Sequence, residues 1–102
     1  MIHVIATIEL VQGKRQEFLD EFRKIVPLVR AEKGCLEYAP TVDVRTNISA
    51  QEEIRANIVT VVEKWESIEA LEDHIRAPHM VEYRDRVRGL VVSTRLHVLQ
   101  PA

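Results

Sequence analysis

Two stretches of this chain carry β-branched residues on both faces of the strand each would form, and that property limits the folds open to it. From Ile2 to Val11 the side chains alternate. Ile2, Val4, Ala6, Ile8 and Leu10 fall on one face, and His3, Ile5, Thr7, Glu9 and Val11 on the other. Ile54 to Trp65 behaves alike, with Ile58, Val59, Val61 and Val62 apolar on both sides. Strands of this kind are covered above and below. The chain has 102 residues, which suits one domain, 1–102, and leaves little room for two. A domain this short removes only about 60–65% of its unfolded surface from water, so a second copy would add burial.

Helical patterns lie between the strands. Over Lys14 to Lys33, Phe18, Phe22, Ile25, Val26 and Val29 form one apolar stripe. Pro27 lies inside that run. It lacks an N–H and clashes one turn back, which predicts a kink or a tightened last turn. Gly34 sits where the residue just beyond the helix end takes a left-handed backbone. Leu36 to Val44 predicts a second strand, interrupted or bent at Pro40, and Arg45 to Glu53 a polar loop. After the third strand, Ser67 is a good N-cap, with Glu69 close to the positive helix end. Ile68, Leu71 and Ile75 make a helical stripe. Pro78 restarts the chain as a second short helix with Met80, Tyr83 and Val87 as its apolar face. Leu90 to Leu99 is the last strand. This order is the split βαβ pattern of an α+β, ferredoxin-like fold, an antiparallel sheet with helices on one face. The other face needs a cover, and a second identical sheet is the simplest, which predicts a homodimer.

Charge and motifs narrow the function. The 14 basic and 16 acidic side chains leave a formal charge of −2, with no basic excess to suit nucleic acid or an anionic membrane. Cys35 is the only cysteine, so no internal disulfide forms, and a reducing cytoplasm is the simplest setting. Met1 to Val11 lacks the basic start of a signal peptide, and no apolar run approaches the ~20 residues of a membrane span. Gly13, Gly34 and Gly89 are too dispersed for a nucleotide loop. His74, His79 and Glu82 are the one conceivable metal set, but Pro78 breaks the helix register between the histidines and their spacing matches no known ligand pattern.

Three blocks carry a family resemblance. Glu32-Lys33-Gly34-Cys35-Leu36-Glu37-Tyr38 resembles an E-x-G-C-x-x-Y turn from first helix to second strand. Glu63-Lys64-Trp65-Glu66-Ser67 with Ala70-Leu71 resembles an E-x-W-x-S-x-x-A-L segment. His74 and Pro78-His79 resemble the H-x-x-x-P-H that follows it. Order and gaps match the antibiotic biosynthesis monooxygenase family, and with the first strand and Gly13 the likeness spans nearly the whole chain. The resemblance implies a dimeric α+β barrel built from two packed sheets, with a pocket between sheet and helices in each subunit. It also implies oxidation of small phenols or quinols by molecular oxygen, without flavin, haem or metal, so no cofactor is expected. The haem-degrading branch of the family resembles a pattern with an asparagine near the position of Thr7. That asparagine is absent here, and so is the branch's tryptophan–histidine pair.

The resemblance makes His74, Trp65 and Glu63 the candidate catalytic residues, and Tyr38, His79 and Thr7 the candidate substrate-binding ones. Each also has a plainer reading. Trp65 is a core aromatic, or a flat wall with one N–H donor. His74, at the edge of the Leu71 stripe, is structural, or a general base because imidazole titrates near neutrality. His79 shares that role or caps the pocket. Glu63 orients a histidine or pairs with an arginine. Tyr38 packs, or donates to substrate. Cys35 reads as a small buried filler, and Arg84, Arg86 and Arg88 as a solvated or interface charge run before an anion clamp. The leading expectation is a cofactor-independent monooxygenase on a small aromatic substrate. The rivals are a proton-transfer enzyme such as an isomerase, separated by oxygen consumption, and a non-catalytic binding dimer, separated by a ligand retained without turnover.

Overall fold

In the computed structural model, which describes residues 1–102, chain order follows the split βαβ pattern. Strand β1 (Ile2–Leu10) leads into helix α1 (Arg15–Arg30), strands β2 (Cys35–Thr41) and β3 (Ile58–Trp65), helices α2 (Ile68–Arg76) and α3 (Pro78–Val87), and strand β4 (Val91–Leu99). The sheet order is β2-β3-β1-β4, antiparallel throughout. The fold is therefore α+β, an antiparallel sheet with its helices on one face.

Alternation along β1 sorts the residues as expected. Ile2, Val4, Ala6, Ile8 and Leu10 are buried beneath the helices. Register then puts Val61 and Glu63 of β3 on that same face, opposite Ala6 and Val4. Phe18, Phe22, Ile25, Val26 and Val29 of α1 close over them, and Met80, Tyr83 and Val87 of α3 join the same core. Phe22 stacks on Tyr38 at 5.5 Å between ring centres and meets Tyr83 edge-on at 5.7 Å. The opposite face, with Ile5, Thr7 and Val62, is covered by no helix.

Several boundaries differ from the expectation. β3 starts at Ile58 and not Ile54, because 42–57 forms one long connection tied across itself by Asp43 and Arg55 at 2.9 Å. β2 ends at Thr41 for the same reason. Pro27 is accommodated inside α1, and the helix exit tightens just beyond, where the Glu32 N–H donates to the Val29 carbonyl at 2.9 Å. The α2 stripe is Leu71 with His74; Ile68 and Ile75 are exposed. Ser67 does cap α2, its hydroxyl accepting from the Ala70 N–H at 3.1 Å, and Pro78 opens α3.

Gly34 does not end α1, which stops at Arg30 with Ala31 as its C-cap; it shapes the turn into β2 instead. Its φ is +85°, and a Cβ there would lie 2.6 Å from the Ala70 Cβ of α2. Gly13 has a similar φ of +80° but open space around it. The pair separates backbone strain from steric overlap. Gly13→Ala should cost about 1–2 kcal/mol, the penalty of a left-handed backbone alone. Gly34→Ala should cost about 1–3 kcal/mol more, because Ala70 sits in a packed turn that cannot easily yield. Urea unfolding of the two variants tests the difference; equal losses would mean that the α2 contact is soft.

Candidate active site

Helix α3 packs on α1 and α2 more than on the sheet, and a cavity of about 220 Å³ remains between these helices and strands β1 and β3. That is below the ~300–1,000 Å³ of sites for drug-sized ligands, so it suits a small ring system. Val4, Ala6, Ile8 and Val61 form its floor, Phe22, Leu71 and Met80 its walls, and Thr94 and Leu96 of β4 its rim. The polar groups facing this apolar space are Tyr38, Glu63, His74, Tyr83 and Arg84, with the rim hydroxyl of Thr94.

His74 is buried, with 4% of its surface exposed. Its ring lies 4.6 Å from the Trp65 ring and meets Tyr38 edge-on at 5.3 Å. Nδ1 hydrogen-bonds the Glu32 carboxylate at 3.0 Å, and no protein group occupies Nε2. Burial lowers the His74 pKa below 6.5, while the Glu32 hydrogen bond and charge oppose that shift. Near neutral pH the imidazole is therefore uncharged. Donation from Nδ1–H to Glu32 leaves the Nε2 lone pair free, which is the tautomer a general base needs.

Glu63 is the second titratable group in the cavity, 6% exposed. The Trp65 indole N–H donates to its Oε1 at 3.0 Å. Burial pushes its pKa up to about 7 and the indole hydrogen bond pulls the other way. Burial also raises the pKa of Tyr38 and Tyr83, so both hydroxyls stay protonated and able to donate.

The sequence-derived site is partly assembled here. Glu63, His74 and Tyr38 come together. Trp65 lies beneath them, fully buried, with its N–H already given to Glu63. His79 does not line the cavity; its Nε2 meets Glu32 at 2.6 Å, at the outer side of the His74–Glu32 pair. Thr7 is not part of the cavity. Strand alternation puts it on the helix-free face, paired with Thr60 and Arg95. Glu63 does not orient a histidine; Glu32 does. In the sequence Glu32 belongs to the turn block from first helix to second strand, with nothing there to mark it as a site residue. Its role depends on a contact 42 residues away in sequence, which no local pattern signals. Cys35 is half-buried with its thiol pKa raised by burial, which suits a filler. No group of three or more histidine, cysteine or acidic side chains is arranged to hold a metal ion.

The chain is thus a ferredoxin-like α+β domain with a largely apolar cavity that holds one oriented imidazole. The antibiotic biosynthesis monooxygenase family model matches residues 1–86, and the chain belongs to that family. The "Probable quinol monooxygenase YgiN" of Escherichia coli (strain K12) is 45% identical over 103 residues, covering 99% of this chain and 98% of that one. The protein so described in Shigella flexneri matches equally, at 45% identity. Among solved structures, PA3566 from Pseudomonas aeruginosa superposes with a TM-score of 0.81 at 25% identity, over 99% of this chain and 93% of that one. Rv0793 from Mycobacterium tuberculosis shares the fold, with a TM-score of 0.80 at 24% identity over 99% and 94%.

The raised Glu63 pKa makes a stability prediction with a definite sign. Below about pH 4.5 Glu63 is protonated in folded and unfolded chains alike and costs nothing. Between 4.5 and about 7 the unfolded chain ionises first, so stability falls as pH rises. Above about 7 the folded chain carries the buried charge and the loss is complete, on the order of 3 kcal/mol. Glu63→Gln should remove that component. His74 acts in the opposite direction and is common to both proteins, so the difference between their urea midpoints across pH 4–8 isolates Glu63. A pH-independent difference would mean that Glu63 is not desolvated.

Proposed function

We propose that this protein is a cofactor-independent monooxygenase that oxidises a small quinol or phenol with molecular oxygen. The observation that carries the reading is the buried, uncharged imidazole of His74, held by Glu32 with its Nε2 free at an apolar cavity, in a member of this family. Oxygen is a triplet and reacts slowly with closed-shell organics. Taking a hydroxyl proton onto His74 Nε2 makes an electron-rich phenolate, which gives oxygen one electron. The radical pair then joins through a new ring C–O bond. His74 returns its proton to the terminal peroxide oxygen, and the O–O bond breaks as the ring proton and hydroxide leave as water. A hydroquinone and oxygen together have the composition of a hydroxyquinone and water, so the substrate supplies every electron.

The other residues take supporting roles. Glu32 fixes the tautomer of His74 and offsets the charge the ring acquires, and His79 fixes Glu32. Tyr38, and Glu63 while protonated, donate to the oxygen that carries negative charge. Trp65 is the wall under His74 and holds Glu63 in place. Dry walls keep water from the radical pair. A second reading, proton transfer on a non-aromatic metabolite, draws on two titratable groups, Glu63 and His74, facing one cavity.

We also propose a homodimer in which the helix-free sheet faces pack together as a barrel. Support comes from Ile5 and Val62 on that face, and from Val44, Ile48 and Leu99, each at least 45% exposed in the lone subunit. Sedimentation at micromolar concentration should give a dimer; a stable folded monomer would reject this.

Oxygen uptake with a panel of hydroquinones separates monooxygenation from isomerisation, and uptake by none of them counts against the first. Because His74 is buried, His74→Gln is the better test than alanine. It keeps a donor for Glu32 and fills space but cannot act as a base. Turnover should fall ~10²–10⁴-fold with the fold retained. The native rate should rise with pH through a step below 6.5, following the lowered His74 pKa, and the variant should lose that step. Near-native turnover in the variant would exclude His74 as the base.

A further inference from the structure

The cavity mouth carries a charge that the reaction above does not use. Helix α3 bears Arg84 and Arg86, and Arg88 is its C-cap. Two of them are matched by carboxylates: Arg86 by Glu21 at 3.3 Å and Arg88 by Asp85 at 2.6 Å. Arg84 is not. Its one side-chain hydrogen bond is Nη2 donating to the backbone carbonyl of Ile75 at 2.9 Å. A carbonyl anchors the guanidinium without cancelling its charge, and Nε and Nη1 keep no protein partner. Arg84 lines the cavity beside Ile75, Thr94 and Leu96, and is the only lysine or arginine that does. The one carboxyl facing that space, Glu63, is bonded to the Trp65 indole instead.

A guanidinium with no carboxylate partner, at the rim of a largely apolar cavity, is suited to recognise an anion. Its planar donor fork fits the two oxygens of a carboxylate, while the apolar walls take a flat ring. We propose that Arg84 is a specificity-determining residue of this site, and that the substrate is an aromatic alcohol bearing a carboxylate remote from its reacting hydroxyl. The inference rests on the aromatic-substrate reading. It gives that substrate an orientation, with the hydroxyl towards His74 and the acid towards solvent. Because the mouth is open to water, screening limits the gain to about tenfold in affinity and makes it salt-dependent.

Calorimetry under nitrogen tests this without turnover, with 4-hydroxybenzoate and its uncharged amide, 4-hydroxybenzamide, as probes. The native protein should bind the acid about tenfold more tightly, and less so in high salt. Arg84→Gln should bring the acid down to the level of the amide, while Arg84→Lys should keep part of the preference. Equal affinities in the native protein, failure of the acid to bind at millimolar concentration, or a preference that survives Arg84→Gln would each overturn the proposal. The native comparison stands even if a variant fails to fold. Acid-selective binding without oxygen uptake on any hydroquinone would sink the monooxygenase reading alone. Uptake with equal binding of acid and amide would sink the Arg84 assignment alone.

Discussion

The site depends on the close approach of two turns. Gly34, in the turn between α1 and β2, presses its backbone against Ala70 in the first turn of α2, and its carbonyl accepts the Glu66 N–H at 2.8 Å. Only a residue without a Cβ, in a left-handed conformation, permits that contact. Its consequence is chemical. Glu32 lies two residues before Gly34, and His74 four after Ala70, one turn along the same helix. Docking the turns brings the carboxylate to the imidazole, and the α2–α3 break at Pro78 then lets His79 meet the same carboxylate from the other side. A backbone contact with no chemistry of its own thus fixes the one polar network at the edge of the core.

The sheet supplies the second half of the site by alternation. Val4, Ala6 and Ile8 floor the cavity, and register brings Glu63 opposite Val4. A residue that alternation makes core-facing must be apolar or partnered. Glu63 has a single neutral partner, the indole of Trp65, so burial is free to raise its pKa to about 7. Helix α3 leans on the other helices and leaves the space beneath it open. The same packing that completes the aromatic cluster of Phe18, Phe22 and Tyr83 therefore creates the cavity.

Most of the fold was legible because it is written in local periods. The β1 faces, the α1 stripe, the Ser67 cap and the Pro78 restart each rest on neighbouring residues, and the structure follows them. Errors arose where non-local contacts decide. Ile54 to Asn57 has strand-like neighbours but is drawn into the Asp43–Arg55 connection. Ile68 and Ile75 match a helical stripe, yet α2 touches the core along Leu71 and His74. The site was legible as residue types and not as pairings. His74, Glu63 and Tyr38 do share one cavity. Thr7 lies off the cavity because its strand parity gives it the helix-free face, and Glu32 meets its two histidines only through the tertiary fold.

The two carboxyl groups near His74 illustrate why pairing decides chemistry. Glu32 sits between two imidazoles, each within hydrogen-bond reach of its carboxylate. Glu63 has one indole N–H and an apolar cavity, so negative charge there is costly. Identical side chains at one site thereby meet opposite environments. Glu32 hydrogen-bonds His74, whereas burial favours the protonated form of Glu63. An oxidation without a cofactor needs that division. The base must gain a proton, the oxygen that becomes negative needs a donor, and both must lie in a space from which water is largely excluded. Swapping the environments of the two groups would leave the composition unchanged and lose the pairing with His74, which is why residue identity alone underdetermined the site.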